Sequence, residues 1–530
     1  MARRTESRPY WPYLALVLLC LSLFTCTAPG RITYPDDEIV FQTTRSLVED
    51  GSLAIPGIAK RTGERPDRAN GTFGWAEGRD GKRYGIFGHA LSLVAVPAYL
   101  LGKATLPKVP ERWRYVVRSD LFTYHQRSLE ADWLRLVVSL SNCLLTALGA
   151  LLLALWLRVL GHARRPALLT ALVYALGTSA WFYAGTFLSE PLSVIVLLGS
   201  ALEISRWHHE RSTSPHARRH LWIAAALAGL SVHVHLLNLI AIPCLLAYAA
   251  GPSRRDKALL TRERNTWLIA LALGAVGLIL LGLDQWWRFG NPFESGRLDH
   301  YGHWVWPFEG ALTVLVAPGR SLLIYSPPIV LAVLAWPALR RRDRDAAWLI
   351  AALFLSRWLF VSCRSDWHGG WAIGPRYLVP LIPFLLVPLA GLFEAERWSK
   401  LLPRARVAIV GLLIASVLLQ AWIAVHSIFQ LLWEINLEYG RDAYWTIADW
   451  KPWAMPPAYY WRLQQPALEF ARAGNWQAAR SSAQFEALAF GAWRLAAVTG
   501  VDGLWRIMQG MGLLAGLSGA GLGWWLWRDR

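Results

Sequence analysis

The sequence predicts an all-α polytopic membrane protein: a bundle of about twelve transmembrane helices, with juxtamembrane helices in a large first external loop. The chain has 530 residues and is 55% hydrophobic, and its apolar runs repeatedly reach about 18 to 25 residues, the length that crosses a bilayer core. These runs are continuous rather than alternating, which favours helices over the strands of a membrane barrel.

The positive charge of the chain indicates topology rather than nucleic-acid binding. Its formal net charge is +18, but the Lys and Arg residues lie in short clusters between the apolar runs, and cytoplasmic loops are enriched in such residues. The clusters predicted to be cytoplasmic lie at residues 158–165, 206–219, 254–264, 340–344, 397–406 and 528–530.

The first apolar segment is predicted to remain in the protein as an anchor. It follows the basic "MARRTESR", as a signal peptide would, but it has aromatic ends and no A-x-A cleavage site. Both chain ends and the basic clusters are predicted to be cytoplasmic, and this arrangement is possible only if residues 86–102 do not cross the membrane. That stretch is short and contains Pro97, so we expect it to lie in the outer interface.

These assignments divide the chain into three parts. Residues 1–428 form a transmembrane catalytic module whose first external loop is 31–132, residues 429–503 form a small external helical segment, and residues 504–530 form the last transmembrane helix with a cytoplasmic tail. The "HVHLLN" junction is too short for two comfortable crossings, which predicts a broken unit there. The predicted spans are 11–28, 134–158, 167–187, 191–207, 221–235, 236–250, 266–284, 321–338, 346–363, 377–393, 406–428 and 504–527.

Three adjacent acids, Asp36, Asp37 and Glu38, follow the first span at the predicted outer surface. Asp36 and Asp37 could cap the helix that follows, because carboxylates accept the free N–H groups of a first turn. A cap does not need three acids. Crowded carboxylates raise the pKa of at least one member, which suits a proton acceptor that works near neutrality.

Other candidate site residues share the predicted outer face. Glu190, in "LSEP", lies at the outer end of a span, where an acid is either at the water edge or paired. Arg320 and Arg376 follow Pro and Gly at the mouths of spans, where a cation could meet a phosphate or snorkel to lipid headgroups. The remaining candidates for substrate binding are Lys82, Arg83, His89 and Tyr377.

The histidines and cysteines give no diagnostic metal or disulfide pattern. His233 and His235 diverge by about 200 degrees on a helix and cannot chelate one metal together, so hydrogen-bonded histidines are favoured. Asp366 and His368 could contribute to a metal site, but their spacing is not diagnostic. The five cysteines show no CxxC motif; Cys26 with Cys363 is a conceivable pair.

These residues resemble the GT-C glycosyltransferases, and within them the bacterial relatives of protein O-mannosyltransferases and of the lipid A aminoarabinose transferase. In that class an Asp-Glu pair opens the first external loop, and Asp37-Glu38 is the best match here. Glu190 in "LSEP", "RFGNPFESG", "PGRSLLIYSPP" and "WHGGWAIGPRY" also look like family segments. The chain departs from the family in having "KRYGIFGHAL" where many relatives have a Lys-Pro that contacts donor phosphate.

The resemblance implies a membrane enzyme that uses a polyprenyl-phosphate-linked sugar and transfers it to a lipid, glycan or protein acceptor. The site would face the periplasm or exterior of a bacterial cytoplasmic membrane. Asp37 would be the base of a single inverting displacement, supported by Asp36, while Glu38 and Glu190 would orient the acceptor or a metal. Arg320 and Arg376 would hold the phosphate, and a divalent cation could share that role.

Two other functions fit a polytopic chain with ionisable residues. A lipid or solute transporter or flippase would place acids deep within spans and show repeat symmetry, which the sequence does not. An O-antigen ligase or polymerase would share the donor and location, and would rely on a late external loop bearing residues such as Arg364 and His368.

Overall fold

The computed structural model describes residues 10–55, 74–113, 128–251, 261–297, 303–440, 443–500 and 503–528. Parts of the predicted first external loop and most of the predicted basic cluster 254–264 lie outside these described residues.

Helices dominate the fold. Short 3-10 helices join several of the α-helices and cover Leu106–Lys108, Glu111–Trp113, Pro215–Ala217, Ser231–His233, Leu236–Ile240, Arg376–Leu381 and Pro452–Ala454. The three strands are β1 (Ala54–Ile55), β2 (Trp75–Glu77) and β3 (Arg83–Gly85). The α-helices are α1 (Trp11–Thr27), α2 (Pro35–Glu49), α3 (Ala90–Val94), α4 (Val96–Thr105), α5 (Leu129–Ser139), α6 (Ser141–Val159), α7 (Arg164–Gly177), α8 (Ala180–Ala184), α9 (Glu190–Glu210), α10 (Arg218–Leu230), α11 (Ala241–Ala249), α12 (Arg264–Phe289), α13 (Phe308–Val316), α14 (Leu322–Tyr325), α15 (Pro328–Arg342), α16 (Arg344–Ser362), α17 (Ile382–Ala390), α18 (Ala395–Lys400), α19 (Pro403–Ala424), α20 (Ile428–Tyr439), α21 (Ala443–Trp450), α22 (Pro456–Leu463), α23 (Gln465–Arg472), α24 (Trp476–Ser482), α25 (Leu488–Thr499) and α26 (Gly503–Arg528).

Each of the twelve predicted spans coincides with one or two of these helices. Four helical stretches within the described residues are long and apolar enough to cross a membrane: Leu129–Val159, Arg264–Phe289, Arg344–Ser362 and Pro403–Ala424. Shorter apolar helices cover Trp11–Thr27, Leu236–Ala249 and Arg376–Ala390. The helical membrane architecture is therefore supported, whereas the count of about twelve crossings stays a prediction.

Helix α1 is the central packing element of the N-terminal part. It is apolar all round, so it can be buried on more than one side; Leu16, Cys20 and Phe24 are buried, and the helix packs against α6 and α26. The first and last predicted spans are therefore neighbours, which no sequence pattern indicated. The five cysteines are all free.

The predicted first external loop contains a small sheet as well as helices. Strand β3 pairs antiparallel with both β1 and β2, giving the order β1-β3-β2, so the prediction of helices alone in this loop was incomplete. The strands have only two or three residues, too short for a period-two pattern to be legible. The stretch 86–102 forms the short helices α3 and α4, which meet at Ala95.

A break interrupts the helices at the predicted "HVHLLN" junction. The 3-10 helices Ser231–His233 and Leu236–Ile240 separate α10 from α11, and the side chain of Asn238 lies buried between them. The Nδ2 of Asn238 donates to the Oγ of Ser193 (3.1 Å) and to the carbonyl of Ser231 (3.0 Å). Its Oδ1 accepts from the Nη1 of Arg357 (2.9 Å), so the break supplies the acceptor for a buried cation.

Replacing Asn238 by leucine should destabilise the fold because the Arg357 guanidinium loses its side-chain acceptor in a buried environment. We expect a loss of about 1–3 kcal/mol, the usual cost of a buried unsatisfied polar group, measured as a lower thermal midpoint of tryptophan fluorescence in detergent. Leu239→Ala is the control, since Leu239 lies on the same 3-10 helix but is exposed. Equal midpoints for the two variants would contradict the prediction.

Candidate active site

The guanidinium of Arg376 joins two carboxylates from distant parts of the chain. Its Nη1 donates to the Oδ2 of Asp36 (2.8 Å) and its Nε donates to the Oε1 of Glu190 (2.8 Å). Asp36 lies in the first turn of α2, Glu190 is the first residue of α9, and Arg376 begins the 3-10 helix before α17. The three predicted site residues therefore form one cluster, in which Glu190 and Arg376 are buried and Asp36 is half-buried.

The loop before Arg376 approaches this cation closely. Gly369 and Gly370 have φ of +69° and +76°, a conformation that residues with a Cβ adopt rarely. A Cβ on Gly369 would lie 2.9 Å from the Cβ of Arg376, and the carbonyl of Gly369 accepts from the Nη1 of Arg376 (3.3 Å). The glycines of "WHGGW" therefore allow the loop to contact the arginine side chain.

Asp37 is fully buried beside the Arg376 cluster. Its Oδ2 accepts from the backbone N–H of Phe187 (3.0 Å) in the turn before α9. Its Oδ1 has no hydrogen-bond partner among the described residues. One oxygen is therefore held by the backbone, and the other remains available to a further donor.

The surroundings of Asp37 favour its protonated form. Burial raises the pKa of Asp37 well above its ordinary value, and the negative charges of Asp36 and Glu190 raise it further. The N–H of Phe187 and the charge of Arg376 act in the opposite direction and lower the pKa. The expected crowding of carboxylates is thus present, although burial contributes more than the neighbouring acids do.

Glu38 makes a separate buried ion pair that the sequence analysis missed. Arg135 on α5 donates from Nε to the Oε2 of Glu38 (2.9 Å) and from Nη2 to its Oε1 (2.7 Å). Gln42, one turn further along α2, also donates to Oε1 (2.6 Å). Arg135 lies at the start of a predicted apolar span, where a charged side chain usually has a partner of opposite charge. The sequence could therefore have indicated that Arg135 pairs with an acid. These contacts give Glu38 a role in anchoring α2.

Arg320 is buried and holds protein groups. Its Nε donates to the Oδ1 of Asp449 (2.8 Å). Its Nη1 donates to the carbonyls of His368 (3.1 Å), Gly370 (3.0 Å) and Ala372 (2.6 Å). The arginine therefore ties the "WHGGW" loop to α21, while its expected role in holding phosphate stays a prediction.

The predicted basic residues of the first loop lie around the small sheet. Lys82 is exposed and 3.7 Å from Asp80, and the guanidinium of Arg83 lies 4.5 Å from the ring centre of Trp75. His89 is buried at the start of α3, with its Nε2 3.5 Å from Asp284. Burial, reinforced by the charge of Arg288, lowers the pKa of His89 to about 4, so the ring is neutral near pH 7.

An open cleft connects His89 with the turn that carries Glu190. About 510 Å³ of atom-free space, which includes the part open to solvent, lies between "FGH", the helix break at 232–236 and the end of α12. Arg288, Arg297 and Ser189 also line it. The Nε of Arg288 has no hydrogen-bond partner within the described residues. Ser189 directly precedes Glu190, so one lining residue of the cleft is next in sequence to a member of the carboxylate cluster.

The other predicted residues are hydrogen-bonded within the protein. Tyr377 packs edge-on against His235 at 6.0 Å, and its carbonyl accepts from Arg357 (2.6 Å). His233 bonds the carbonyl of Gly277 (2.8 Å), and the ring of His235 accepts from the N–H of Leu237. No group of three His, Cys, Asp or Glu side chains suited to a metal ion occurs in the described part of the chain.

Comparison with known proteins supports the resemblance. Residues 134–256 match the family described as the protein O-mannosyl-transferase TMEM260 N-terminal domain. The fold is similar to the crystal structure of ArnT from Cupriavidus metallidurans bound to undecaprenyl phosphate, with a TM-score of 0.50 and 15% identity. The match covers 96% of this chain and 76% of ArnT. The predicted GT-C resemblance is confirmed. At this identity the likeness to ArnT establishes the fold alone.

Two further structures have lower scores. ArnT from Cupriavidus metallidurans in the apo state gives a TM-score of 0.49 at 14% identity, over 96% of this chain and 76% of that one. The oligosaccharyltransferase of Archaeoglobus fulgidus in the apo form gives 0.46 at 12% identity, over 82% of this chain and 60% of that one. No curated protein sequence matches the chain.

Replacing Arg135 by methionine should strongly destabilise the protein because Glu38 then remains buried without its cation. Breaking a buried ion pair from one side costs about 3–5 kcal/mol, whereas replacing both partners by apolar residues is often neutral. We therefore expect the double variant Arg135→Met/Glu38→Met to recover most of the loss in thermal midpoint. Arg45→Met, at an exposed position of α2, is the control. A double variant as unstable as Arg135→Met would refute this account.

Asp37→Asn should stabilise the protein increasingly as pH rises. An unfolded aspartate titrates near pH 3.9, whereas burial raises the pKa of folded Asp37. Above about pH 4 the folded state therefore binds more protons than the unfolded state, and the wild type loses stability with rising pH. Asparagine does not ionise, so the variant does not lose stability in this way. The midpoint difference between the variant and the wild type should be smallest at about pH 4 and grow as the pH rises through the folded-state pKa of Asp37.

Exposed Asp50 provides the control for this pH series. Asp50→Asn should give a midpoint difference that stays small over the same range. If the Asp37→Asn difference were independent of pH, the raised pKa would be wrong.

Proposed function

We propose that this protein is a membrane glycosyltransferase that moves a sugar from a polyprenyl-phosphate donor to a lipid, glycan or protein acceptor. The family match and the fold support the class of enzyme. The observation that carries the proposal is the buried Asp37 carboxylate, one oxygen of which accepts from the Phe187 N–H while the other has no partner among the described residues.

Asp37 would act as the base for the acceptor. Transfer requires removal of the acceptor proton, and a carboxylate whose pKa is raised by burial is a stronger base than an exposed one. The Phe187 N–H fixes the orientation of the carboxyl group, so the second oxygen can face the acceptor hydroxyl or amine. Arg376 and its partners Asp36 and Glu190 would set the electrostatic environment of Asp37.

The open cleft is suited to the donor phosphate. Arg288 and Arg297 line it, and guanidinium groups bind phosphate by charge-assisted hydrogen bonds. Neutral His89 would contribute an N–H donor. Arg320 and Arg376 already donate hydrogen bonds to oxygen atoms of the protein itself. The arginines of the cleft are therefore the better candidates for the phosphate. Lys82 and Arg83 lie a few residues before "FGH", which lines the cleft. The phosphate leaves as a stable anion, so cations suffice and no general acid is needed.

Attack by the acceptor on the face of the sugar opposite the phosphate would invert the anomeric carbon in a single step. The acceptor proton passes to Asp37, the bond from the anomeric carbon to the phosphate oxygen breaks, and polyprenyl phosphate departs. Asp37 and the cleft would then lie on the extracytoplasmic side of a bacterial cytoplasmic membrane, with 1–428 as the catalytic module. A divalent cation remains an optional partner of the phosphate, and no step requires it.

Asp37→Asn should abolish transfer while leaving the protein folded, because the amide cannot accept the acceptor proton. The test compares envelope glycolipids and glycoproteins by mass spectrometry in a strain that lacks the gene and is complemented with wild type or variant. General bases contribute about 10²–10⁴-fold, so we expect the sugar-bearing product to fall by at least about 100-fold. Asp50→Asn serves as the matched control and should restore the product fully.

The same comparison separates the competing functions. A transporter or flippase would tolerate Asp37→Asn and leave the product unchanged when the variant is present at the wild-type level. An O-antigen ligase or polymerase would depend on Arg364 and His368, whose loop is held by Arg320. Loss of product with Arg364→Ala, combined with retention in Asp37→Asn, would therefore reject Asp37 as the base.

A further inference from the structure

The predicted external segment 429–503 contacts the catalytic module through α21. The N–H of Gly319 donates to the carbonyl of Asp449 (3.0 Å). A Cβ on Gly319 would overlap the carbonyl oxygen of Ala448, so only glycine allows the two backbones to approach this closely. The backbone at the end of α21 is therefore in direct contact with Gly319, the residue before Arg320.

Asp449 and Arg320 form a buried ion pair at this contact. The Oδ1 of Asp449 accepts from the Nε of Arg320 (2.8 Å), and the side chains are 6% and 1% exposed. A buried charge without a partner is strongly unfavourable, so the aspartate both neutralises the arginine and holds its planar guanidinium in one orientation.

The opposite edge of that guanidinium holds the "WHGGW" loop. The Nη1 of Arg320 donates to three carbonyls, those of His368, Gly370 and Ala372. The intervening Gly369 carbonyl accepts from Arg376, and Arg376 binds Asp36 and Glu190 beside Asp37. A continuous series of hydrogen bonds and adjacent residues therefore runs from α21 to the carboxylate cluster.

We propose that Asp449 is a positioning residue for sugar transfer: through Arg320 it holds residues 368–372, and so sets where Arg376 places Asp36 and Glu190 around Asp37. This inference rests on the proposed function. It gives the predicted external segment an indirect role in the reaction, exerted through Arg320 and not by contact with donor or acceptor. Misplacement of reacting groups by about 1 Å costs on the order of 100-fold in rate, so loosening the loop should be visible in activity.

The first measurement is hydrogen exchange of the backbone amides of residues 368–376 in the purified full-length protein. Asp449→Asn keeps the size of the side chain but removes its charge, so we expect faster exchange in this loop. Glu469→Gln is the matched control, because it removes an exposed acid from α23 of the same segment and should leave the loop unchanged. Unchanged exchange in Asp449→Asn would overturn the proposal.

The second measurement is the sugar-bearing envelope product per folded copy of the protein in the complemented deletion strain. We expect Asp449→Asn to reduce it about 10- to 100-fold, Asp449→Glu to restore part of it, and Glu469→Gln to have no effect. Arg320→Lys keeps the positive charge but loses the planar guanidinium that donates both to Asp449 and to the loop carbonyls. We therefore expect the same reduction in product as for Asp449→Asn.

The outcomes distinguish failure of this inference from failure of the proposed function. If the wild type restores a missing envelope sugar and Asp449→Asn restores as much per folded copy, the aspartate is structural and the inference is wrong. If deletion removes no envelope sugar at all, the proposed function fails and the inference fails with it. If Asp449→Asn does not fold, Arg320→Lys replaces it in the same assays, and its product per folded copy tests the positioning role in the same way.

Discussion

The site depends on one arginine that neutralises two carboxylates at once, one buried and one half-buried. Asp36, Glu190 and Arg376 come from three parts of the chain separated by more than 150 residues, and none of their charges could be buried alone without a large desolvation cost. The two bonds of 2.8 Å from Arg376 therefore join α2, α9 and the loop before α17. Asp37 lies inside this junction, and its chemistry follows from the arrangement around it.

Opposing effects act on the pKa of Asp37, and burial is the largest of them. Removal from water and the nearby acids raise its pKa, while the Phe187 N–H and Arg376 lower it. A raised pKa of this carboxyl group is the property on which its proposed role as a base depends. The other buried pairs, Glu38 with Arg135 and Arg320 with Asp449, have their charges occupied by protein groups and keep the surrounding elements in place.

The sequence indicated the components of the site better than their partners. The acidic triplet, Glu190 and Arg376 were identified because acids and arginines beside apolar spans are costly unless used or paired. Arg135, Asn238, Arg357 and Asp449 were missed as partners, because pairing across the bundle has no local pattern. Arg320 was expected at a phosphate, a role that stays a prediction; its contacts with Asp449 on α21 and with the "WHGGW" loop were not foreseen, because α21 lies more than 120 residues further along the chain.

The sequence by itself determined the helical membrane class, the approximate positions of the long apolar helices, the interruption at "HVHLLN" and the likeness to GT-C glycosyltransferases. These follow from local properties: the length of apolar runs, the placement of basic clusters and short motifs. Only the tertiary structure decided which charges meet, because buried ion pairs are selected by distances between segments and not by neighbours along the chain. It also decided that the last predicted span packs against the first, and that α21, in the predicted external segment, is linked to the carboxylate cluster through Arg320.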